Sequence, residues 1–250
     1  MHPVLPKAYR CVRPVLERAY EVVAELLPSE VAGRIDLTRP SYRASWGGPL
    51  NGQQNRCQIV RDLAKAIDFD RVIETGTYRG TSTEFFSAVF GVPVATVEAN
   101  TRYFVYSKRR LAVQPDVTVE LGDSRAFLRR CADAAGGDKT VFIYLDAHWE
   151  EDLPLAEELR IIGASWAQAV VMIDDFQVPG DVGFGYDDYG AGGALVERYL
   201  PEASLKGWSL YYPAGASDRE TGKKRGSCVL MSPVIAGNAH IPTLRSARVF

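Results

Sequence analysis

The sequence predicts an α/β fold with a doubly wound, mostly parallel sheet that carries helices on both faces. Short apolar segments alternate with helical segments at the spacing of consecutive β-α-β units. Apart from Thr140, residues 140–145 and 169–173 are apolar or aromatic, which is typical of strands buried on both faces of a parallel sheet. A glycine-containing turn at residues 76–80 links a short apolar strand to a helix, and such turns place ligands at the carboxyl edge of the sheet.

The overall composition is that of an ordinary soluble protein. The 250 residues suit one main domain and carry a net charge of −2, so there is no electrostatic case for a nucleic-acid partner. No apolar run reaches the ~20 residues that span a bilayer. The four cysteines are scattered without a C-x-x-C pair, which argues against a zinc cluster and favours reduced thiols. We therefore expect a cytoplasmic protein with neither a nucleic-acid nor a membrane partner.

The chain divides into an N-terminal helical extension or lid, residues 1–50, and a main domain, residues 51–250. Pro14 is expected to open an apolar-faced helix that ends before Pro28. Residues 45–53 (SWGGPLNGQ) form an irregular segment, because glycines and a proline interrupt any periodic pattern.

Hydrophobic periodicity assigns the elements of the main domain. Strands are predicted over residues 71–75, 92–97, 117–121, 140–145, 169–173, 208–212 and 227–231. Helices are predicted over residues 55–67, 101–113, 125–134, 152–162 and 194–199. A further helix follows the first turn, ends before Gly91, and is expected to be capped by Thr81, Ser82 or Thr83.

Three other segments carry simpler expectations. The cationic side chains of the 101–113 helix are expected to form a solvated face. Residues 177–193 are rich in glycine, aspartate and aromatic residues, which favours a mobile loop beside the site. Residues after Pro233 show no assignable pattern.

The turn after the first strand lacks the usual phosphate-binding signatures. Gly76 and Gly80 are four residues apart, so the dinucleotide pattern G-x-G-x-x-G is absent, and so is the P-loop pattern. Glu74, two residues before Gly76, is unsuited to a pyrophosphate but suited to a ligand that carries an ammonium or sulfonium group. The helix that follows offers backbone N–H groups and a partial positive charge at the same edge.

Residues 74–80 (ETGTYRG) resemble the first motif of the Rossmann-like (class I) methyltransferases that depend on S-adenosylmethionine (SAM). Within that class they are most similar to the metal-dependent O-methyltransferases of small molecules, including the macrocin-type and catechol-type enzymes. The resemblance covers residues 50–231 in the order of its motifs, and it implies a seven-stranded sheet whose last strand is antiparallel. The alternative is an ordinary tight β-α turn.

The resemblance implies a SAM site along the carboxyl edge of the sheet. Glu98 follows the second strand and lies 22 positions after Gly76, close to the ~20 residues that separate the first turn from a ribose-binding acid in nucleotide-binding sheets. Asn51 and Gln53 would bond the methionine end of SAM, unless their segment is a plain surface loop. The residues expected to bind SAM are Glu74, Gly76, Thr77, Tyr78, Gly80, Thr81, Ser82, Glu98, Asp123, Ser124, Asp146, Asn51 and Gln53.

The Gly-Asp-Ser step at residues 122–124 has two interpretations. In the family it resembles, this step contacts the adenine, which makes Asp123 and Ser124 candidates for that role. Asp123 would instead cap the following helix in the alternative interpretation.

Three carboxylates, Asp146, Asp174 and Asp175, follow two predicted neighbouring strands. Such charges repel one another by a few kcal/mol at ~4 Å, so the site is expected to bind a cation or to protonate one acid. Oxygen ligands favour Mg²⁺, Mn²⁺ or Ca²⁺ over zinc. The O-methyltransferases resembled here hold a divalent ion at matching positions, which implies an Mg²⁺ site; in the alternative, one acid binds metal and the others cap helices.

His148 is the best candidate for the general base, with Asp146 as its catalytic neighbour two residues earlier. Catechol-type relatives use a lysine near this place, whereas this chain has Ala147-His148-Trp149, which favours a sugar or another polar acceptor over a catechol. His148 would otherwise be a packed or supporting residue.

The expected function is divalent-metal-assisted O-methylation of a small polar molecule, such as a sugar or glycosylated natural product. A metal-independent N- or O-methyltransferase and a noncatalytic Rossmann-like protein that binds a nucleoside are the alternatives. Family members are often dimers or larger, so a homo-oligomer is expected.

Overall fold

The computed structural model describes residues 19–135, 138–147, 153–190 and 193–250. Within them, one eight-stranded sheet has the strand order β3-β2-β1-β4-β5-β7-β6-β8. The strands are β1 Arg71–Thr75, β2 Val94–Glu98, β3 Val117–Leu121, β4 Thr140–Leu145, β5 Gln168–Asp174, β6 Ser209–Pro213, β7 Ser227–Met231 and β8 Leu244–Val249. β1 to β5 are parallel, β7 is antiparallel to both β5 and β6, and β8 is antiparallel to β6. The predicted doubly wound α/β fold is confirmed.

Helices cover both faces of the sheet. They are α1 residues 19–25, α2 Ser29–Asp36, α3 Gln54–Ala66, α4 Thr81–Phe90, α5 Thr101–Leu111, α6 Ser124–Ala135, α7 Leu155–Ser165 and α8 Pro233–Ala236. Two 3₁₀ segments, Pro40–Gly47 and Pro49–Gly52, connect α2 to α3. None of the helices in these described ranges has the length and apolar content required to cross a membrane.

Alternating side chains divide the core between the two faces of the sheet. On one face Ile73 and Ile143 pack with Phe127 of α6 and Leu159 of α7. On the other face the adjacent strand residues pack with α3, α4 and α8, as Phe142 does with Phe86. Because successive strand residues point to opposite faces, the apolar runs seen in the sequence supply both clusters.

Beyond shifts of one or two residues at element ends, the secondary structure differs from the sequence predictions at four places. The sheet has an eighth strand, β8, which pairs with β6 and covers what would otherwise be an open edge; its residues lie beyond the last predicted strand. The helix predicted over residues 152–162 begins later, at Leu155, directly after Pro154. The helix predicted over residues 194–199 is reduced to one 3₁₀ turn, Glu197–Tyr199, because Ala194 pairs with Asp188 in an isolated bridge. Gly80, in a left-handed conformation, precedes α4 in place of a hydroxyl cap.

The predicted solvated face of the 101–113 helix is wrong for Arg102. The guanidinium of Arg102 donates to Asp36 through Nε at 2.7 Å and Nη2 at 2.9 Å, and its Nη1 lies 2.9 Å from Glu21. Helix α2 packs over α5 and buries this arginine. The N-terminal extension is therefore attached to the main domain by a bidentate, largely buried ion pair, which is stronger than an exposed one.

Arg110, on the same helix, is also engaged rather than solvated. It pairs with Glu84 of α4 at 2.6 Å and donates to the carbonyl of Arg79 at 3.0 Å. Lys108 and Arg109 are exposed, as predicted.

Gly76 is required at the end of β1 because the chain there turns against β4. Its φ is +84°, and a Cβ at this position would collide with the backbone carbonyl of Asp146. A neighbouring-strand backbone approaches this closely only where no side chain intervenes.

We predict that Gly76→Ala destabilises the protein by about 3 kcal/mol or more, because left-handed strain of about 1–2 kcal/mol adds to the collision with backbone. Gly91→Ala is the matched control: its φ is +64° with open space around it, so only the strain of about 1–2 kcal/mol is expected. Urea unfolding of both variants measures the difference. Equal losses would contradict the close approach of β1 and β4.

Candidate functional site

The first turn is held between β2 and β4 at the carboxyl edge of the sheet. The N–H groups of Gly76 and Thr77 donate to the carbonyl of Val97 at 3.0 and 3.1 Å, and the N–H of Asp146 donates to the carbonyl of Thr75 at 3.0 Å. The strand ends that carry Glu98 and Asp146 therefore flank the turn. This brings together the three strand ends on which the sequence prediction of a SAM site depends.

The hydroxyl groups at the start of α4 bind other parts of the protein. Ser82 Oγ accepts from the N–H of Leu50 at 3.1 Å, and Thr81 Oγ1 accepts from Arg110 at 3.1 Å. Thr83 Oγ1 donates to Glu74 at 2.5 Å. Their predicted capping role is wrong, since α4 has no side-chain cap, and the SAM-binding role of Thr81 and Ser82 stays a prediction.

Glu74 is buried within a short hydrogen-bond chain. Its carboxylate accepts from Thr83 and, at 2.7 Å, from Thr96. Thr77 Oγ1 lies 2.6 Å from Thr96 Oγ1. Because the Thr96 hydroxyl already donates its proton to Glu74, the Thr77 hydroxyl is the donor in this second hydrogen bond. Glu74 thus connects β1, β2 and α4.

Burial raises the pKa of Glu74 to about 7, despite the two threonine hydrogen bonds that favour its charged form. The charge of Glu98 raises this pKa further. The buried carboxyl of Glu158 on α7 behaves similarly, and burial raises its pKa to about 7.

Glu98 has the position and the free acceptor capacity expected of a ribose-binding acid. Its two oxygens accept from the N–H of Tyr78 at 2.6 Å and from the N–H of Asn100 at 2.8 Å. Tyr78 itself has a positive φ of 47°. Each carboxylate oxygen can accept a second hydrogen bond, so Glu98 is held in place by two backbone donors and still able to accept from hydroxyl groups.

Asp123 caps α6. Its Oδ1 accepts from the N–H groups of Arg125 and Ala126 at 3.0 and 3.1 Å, so the capping interpretation is confirmed. Contact of Asp123 and of the buried Ser124 with an adenine stays a prediction.

Asp174 is buried in an ion pair with Arg56 of α3. Both residues are about 1% exposed. Asp174 also accepts from Tyr144 at 2.5 Å and from Asn51 at 3.2 Å. Asn51, which was predicted to bind SAM, therefore contacts one of the three predicted metal ligands.

Asp175 lies in a second ion pair, with Arg225, whose Nε is 2.6 Å from Asp175 Oδ1. The same guanidinium bonds Asp187 of the loop after β5. Asp146 lies at the end of β4, and burial together with the charges of Asp174 and Asp175 raises its pKa well above the ordinary value.

Asp174 and Asp175 each have a guanidinium partner already, so two of the three predicted metal ligands are engaged in ion pairs. Among the described residues, no group of three or more acidic, histidine or cysteine side chains could hold a metal. His148, the predicted base, lies outside the described residues, so its role stays a prediction.

The segment before α3 is tied to the loop between β6 and β7. The Gln53 side chain donates to the carbonyl of Arg225 at 2.9 Å and accepts from its N–H at 2.7 Å. Glu220 accepts from the N–H groups of Asn55 and Arg56, each at 3.1 Å, and so caps α3. Gln53 thus has internal partners, and its predicted contact with SAM stays a prediction.

Sequence reasoning missed Arg56, Arg225 and Tyr144. The positions 56, 60, 63 and 67 follow helical spacing, so Arg56 lies in line with the apolar face of α3. That alignment is the signal by which a buried arginine could have been found.

The fold is shared with solved structures of O-methyltransferases. The O-methyltransferase from Bacillus cereus, in complex with SAH, aligns at a TM-score of 0.54 with 17% identity over 85% of this chain and 96% of that one. A putative O-methyltransferase from Klebsiella pneumoniae aligns at 0.53 with 17% identity over 78% and 89%. TomG from Streptomyces achromogenes, an O-methyltransferase involved in tomaymycin synthesis and solved with SAM, aligns at 0.51 with 16% identity over 71% and 78%.

No family profile matches the sequence, and no curated protein matches it significantly. At these identities the structural likeness establishes the fold alone. The chain has the Rossmann-like fold of the class I methyltransferases.

We predict that Glu74→Gln flattens the pH dependence of stability. A folded pKa of about 7 lies above the ordinary 4.5, so the folded state keeps a proton that the unfolded chain releases, and stability falls as pH rises from 4.5 to 7. Gln keeps a side-chain oxygen acceptor but cannot ionise. The slope of the unfolding free energy should become less negative by at most about 1.4 kcal/mol per pH unit. Denaturation curves at pH 5, 6 and 7 measure it, and parallel pH profiles for wild type and variant would contradict the buried-acid account.

Proposed function

We propose that the protein is a SAM-dependent methyltransferase that methylates a hydroxyl group of a small polar molecule. The observation that carries this proposal is the geometry of Glu98, a carboxylate held by two backbone donors beside the glycine turn of β1. Two solved proteins of the same fold hold SAM or SAH, which supports the same ligand here.

The described residues fit SAM at the carboxyl edge of the sheet. Glu98 would accept from the ribose hydroxyls, beside the turn that begins at Gly76 and ends at Gly80. Asp123 and Ser124 would lie at the adenine. When bound, SAM supplies an activated methyl group on a sulfonium.

The acceptor hydroxyl would lose its proton to a base at the end of β4. Asp146 lies there, and His148 follows it by two residues. His148 is our candidate for the base, because an imidazole accepts a proton near neutral pH. We infer a sugar or glycosylated acceptor from the Ala147-His148-Trp149 sequence, which replaces the lysine of catechol-type relatives.

Assistance by Mg²⁺ at Asp146, Asp174 and Asp175 stays a prediction from the resemblance. The arginine partners of Asp174 and Asp175 favour the metal-independent alternative. Binding of SAM would separate both methyltransferase hypotheses from the third alternative, a noncatalytic Rossmann-like protein that binds a nucleoside.

We predict that Glu98→Gln weakens SAM binding by roughly 10-fold to 100-fold, because a hydrogen bond to a charged group contributes about 1.5–3 kcal/mol. Glu120→Gln is the matched control, since Glu120 precedes the end of β3 and pairs with Arg130 at 2.7 Å. Calorimetric titration of EDTA-treated protein with SAM compares the two. Absence of SAM binding by the wild type would overturn the proposed function, and equal affinities of wild type and Glu98→Gln would overturn the role of Glu98.

We also predict that His148→Ala lowers kcat by roughly 10²-fold to 10⁴-fold, the usual contribution of a general base, and leaves the affinity for SAM unchanged. Transfer of labelled methyl groups from SAM to glycosylated acceptors measures it. Full turnover by His148→Ala would remove His148 as the base.

A further inference from the structure

We propose that Arg56 and Arg225 provide the positive charge at the acidic cluster of β4 and β5, so that the wild-type protein binds no divalent ion there. The acidic cluster consists of Asp146, Asp174 and Asp175. This proposal concerns the charge balance of the cluster and does not depend on the reaction that the protein catalyses.

All the acceptor positions of Asp174 are filled by protein donors. One oxygen accepts from Arg56 Nη1 and, at 2.7 Å, from the N–H of Asp175. The other accepts from Tyr144 at 2.5 Å and from Asn51 at 3.2 Å. A carboxylate has about four lone-pair sites, so Asp174 has none left for a metal ion.

The guanidinium of Arg56 also fills the neighbouring oxygen sites. Its Nη2 donates to the carbonyl of Gly226 at 2.9 Å and to the carbonyl of Arg225. Carboxylate and carbonyl oxygens are the ligands that a hard divalent ion would take. Arg56 therefore occupies a cage of oxygens that would otherwise suit such an ion.

Arg56 is held in this cage from its own backbone. The N–H of Arg56 donates to Glu220 at 3.1 Å, and the planar guanidinium bonds the carboxylate and both carbonyls at once. A guanidinium keeps its charge at every physiological pH and offers its donors in a fixed plane. The positive charge at this position therefore belongs to the side chain of Arg56, and it does not exchange with ions in the solvent.

Arg225 balances Asp175, the acid on the outer side of the cluster. It bonds Asp175 at 2.6 Å and also Asp187. Arg225 and Asp175 are partly exposed, whereas Arg56 and Asp174 are buried, so Arg56 decides whether an ion can enter the deeper position.

Titration of EDTA-treated, full-length protein with Mn²⁺ tests the proposal, by calorimetry and by thermal unfolding. The wild type is expected to give neither a saturable signal at the cluster nor a Tm increase that depends on it. A saturable signal that disappears in Asp174→Asn would overturn the proposal. A signal that Asp174→Asn leaves unchanged comes from elsewhere and leaves the cluster metal-free, as proposed.

Arg56→Ala provides the converse measurement. Removing one partner of a buried ion pair is expected to lower Tm by roughly 6–20 °C, and Mn²⁺ should restore part of this loss in proportion to the logarithm of its concentration. Arg56→Lys, which keeps the charge, should show no such response.

Arg102→Gln is the matched control, because it breaks another largely buried ion pair, between α5 and α2, that includes no residue of the acidic cluster. It should lose stability without any response to Mn²⁺. A folded Arg56→Ala that is as unresponsive as Arg102→Gln would overturn the role of Arg56. If Arg56→Ala does not fold, the wild-type and Asp174→Asn titrations decide.

Discussion

The buried ion pair between Arg56 and Asp174 is the interaction on which the carboxyl edge of the sheet depends. Two charges removed from water destabilise a protein unless hydrogen bonds compensate for the lost water; Arg56 Nε has no such partner among the described residues, but the other polar atoms of the pair do. Here the partners come from α3, from β4, from the segment before α3 and from the loop after β6. Elements that are far apart in the chain must therefore meet at one place for the pair to form.

This requirement explains the backbone around the pair. Leu50 and Asn51 have φ values of 50° and 63°, which non-glycine residues adopt only when their surroundings enforce it. Gly222 lies so close to the carbonyl of Asn51 that any side chain there would collide with it. The strain at Leu50 and Asn51 and the close packing at Gly222 both follow from bringing these two segments together near Arg56.

Most strands could be predicted from the sequence because their signals are local. Residues 71–75, 117–121, 140–145 and 227–231 were predicted with the observed bounds, since turn residues flank each apolar run. Strand β8 could not be predicted, because only Leu244 in it is buried. These residues form a strand because they pair with β6, and no local sequence pattern predicts that pairing.

The candidate site was predictable only in part, for the same reason. Strand-end acids such as Glu98 and Asp174 follow from the position of the strands. The partners of these acids do not, since Arg56 and Arg225 lie 118 and 51 residues from Asp174 in the sequence. Opposite charges at such separations meet only through the tertiary fold, and here they form ion pairs with two of the three expected metal ligands.

The central claim is that a SAM-type ligand binds at the carboxyl edge with its ribose on Glu98. A crystal structure of the protein with S-adenosylhomocysteine tests it most directly. The account predicts both ribose hydroxyls within hydrogen-bonding distance of the Glu98 carboxylate and the glycine turn of residues 76–80 beside the ligand. A ligand bound elsewhere, or a ribose without contact to Glu98, would contradict it.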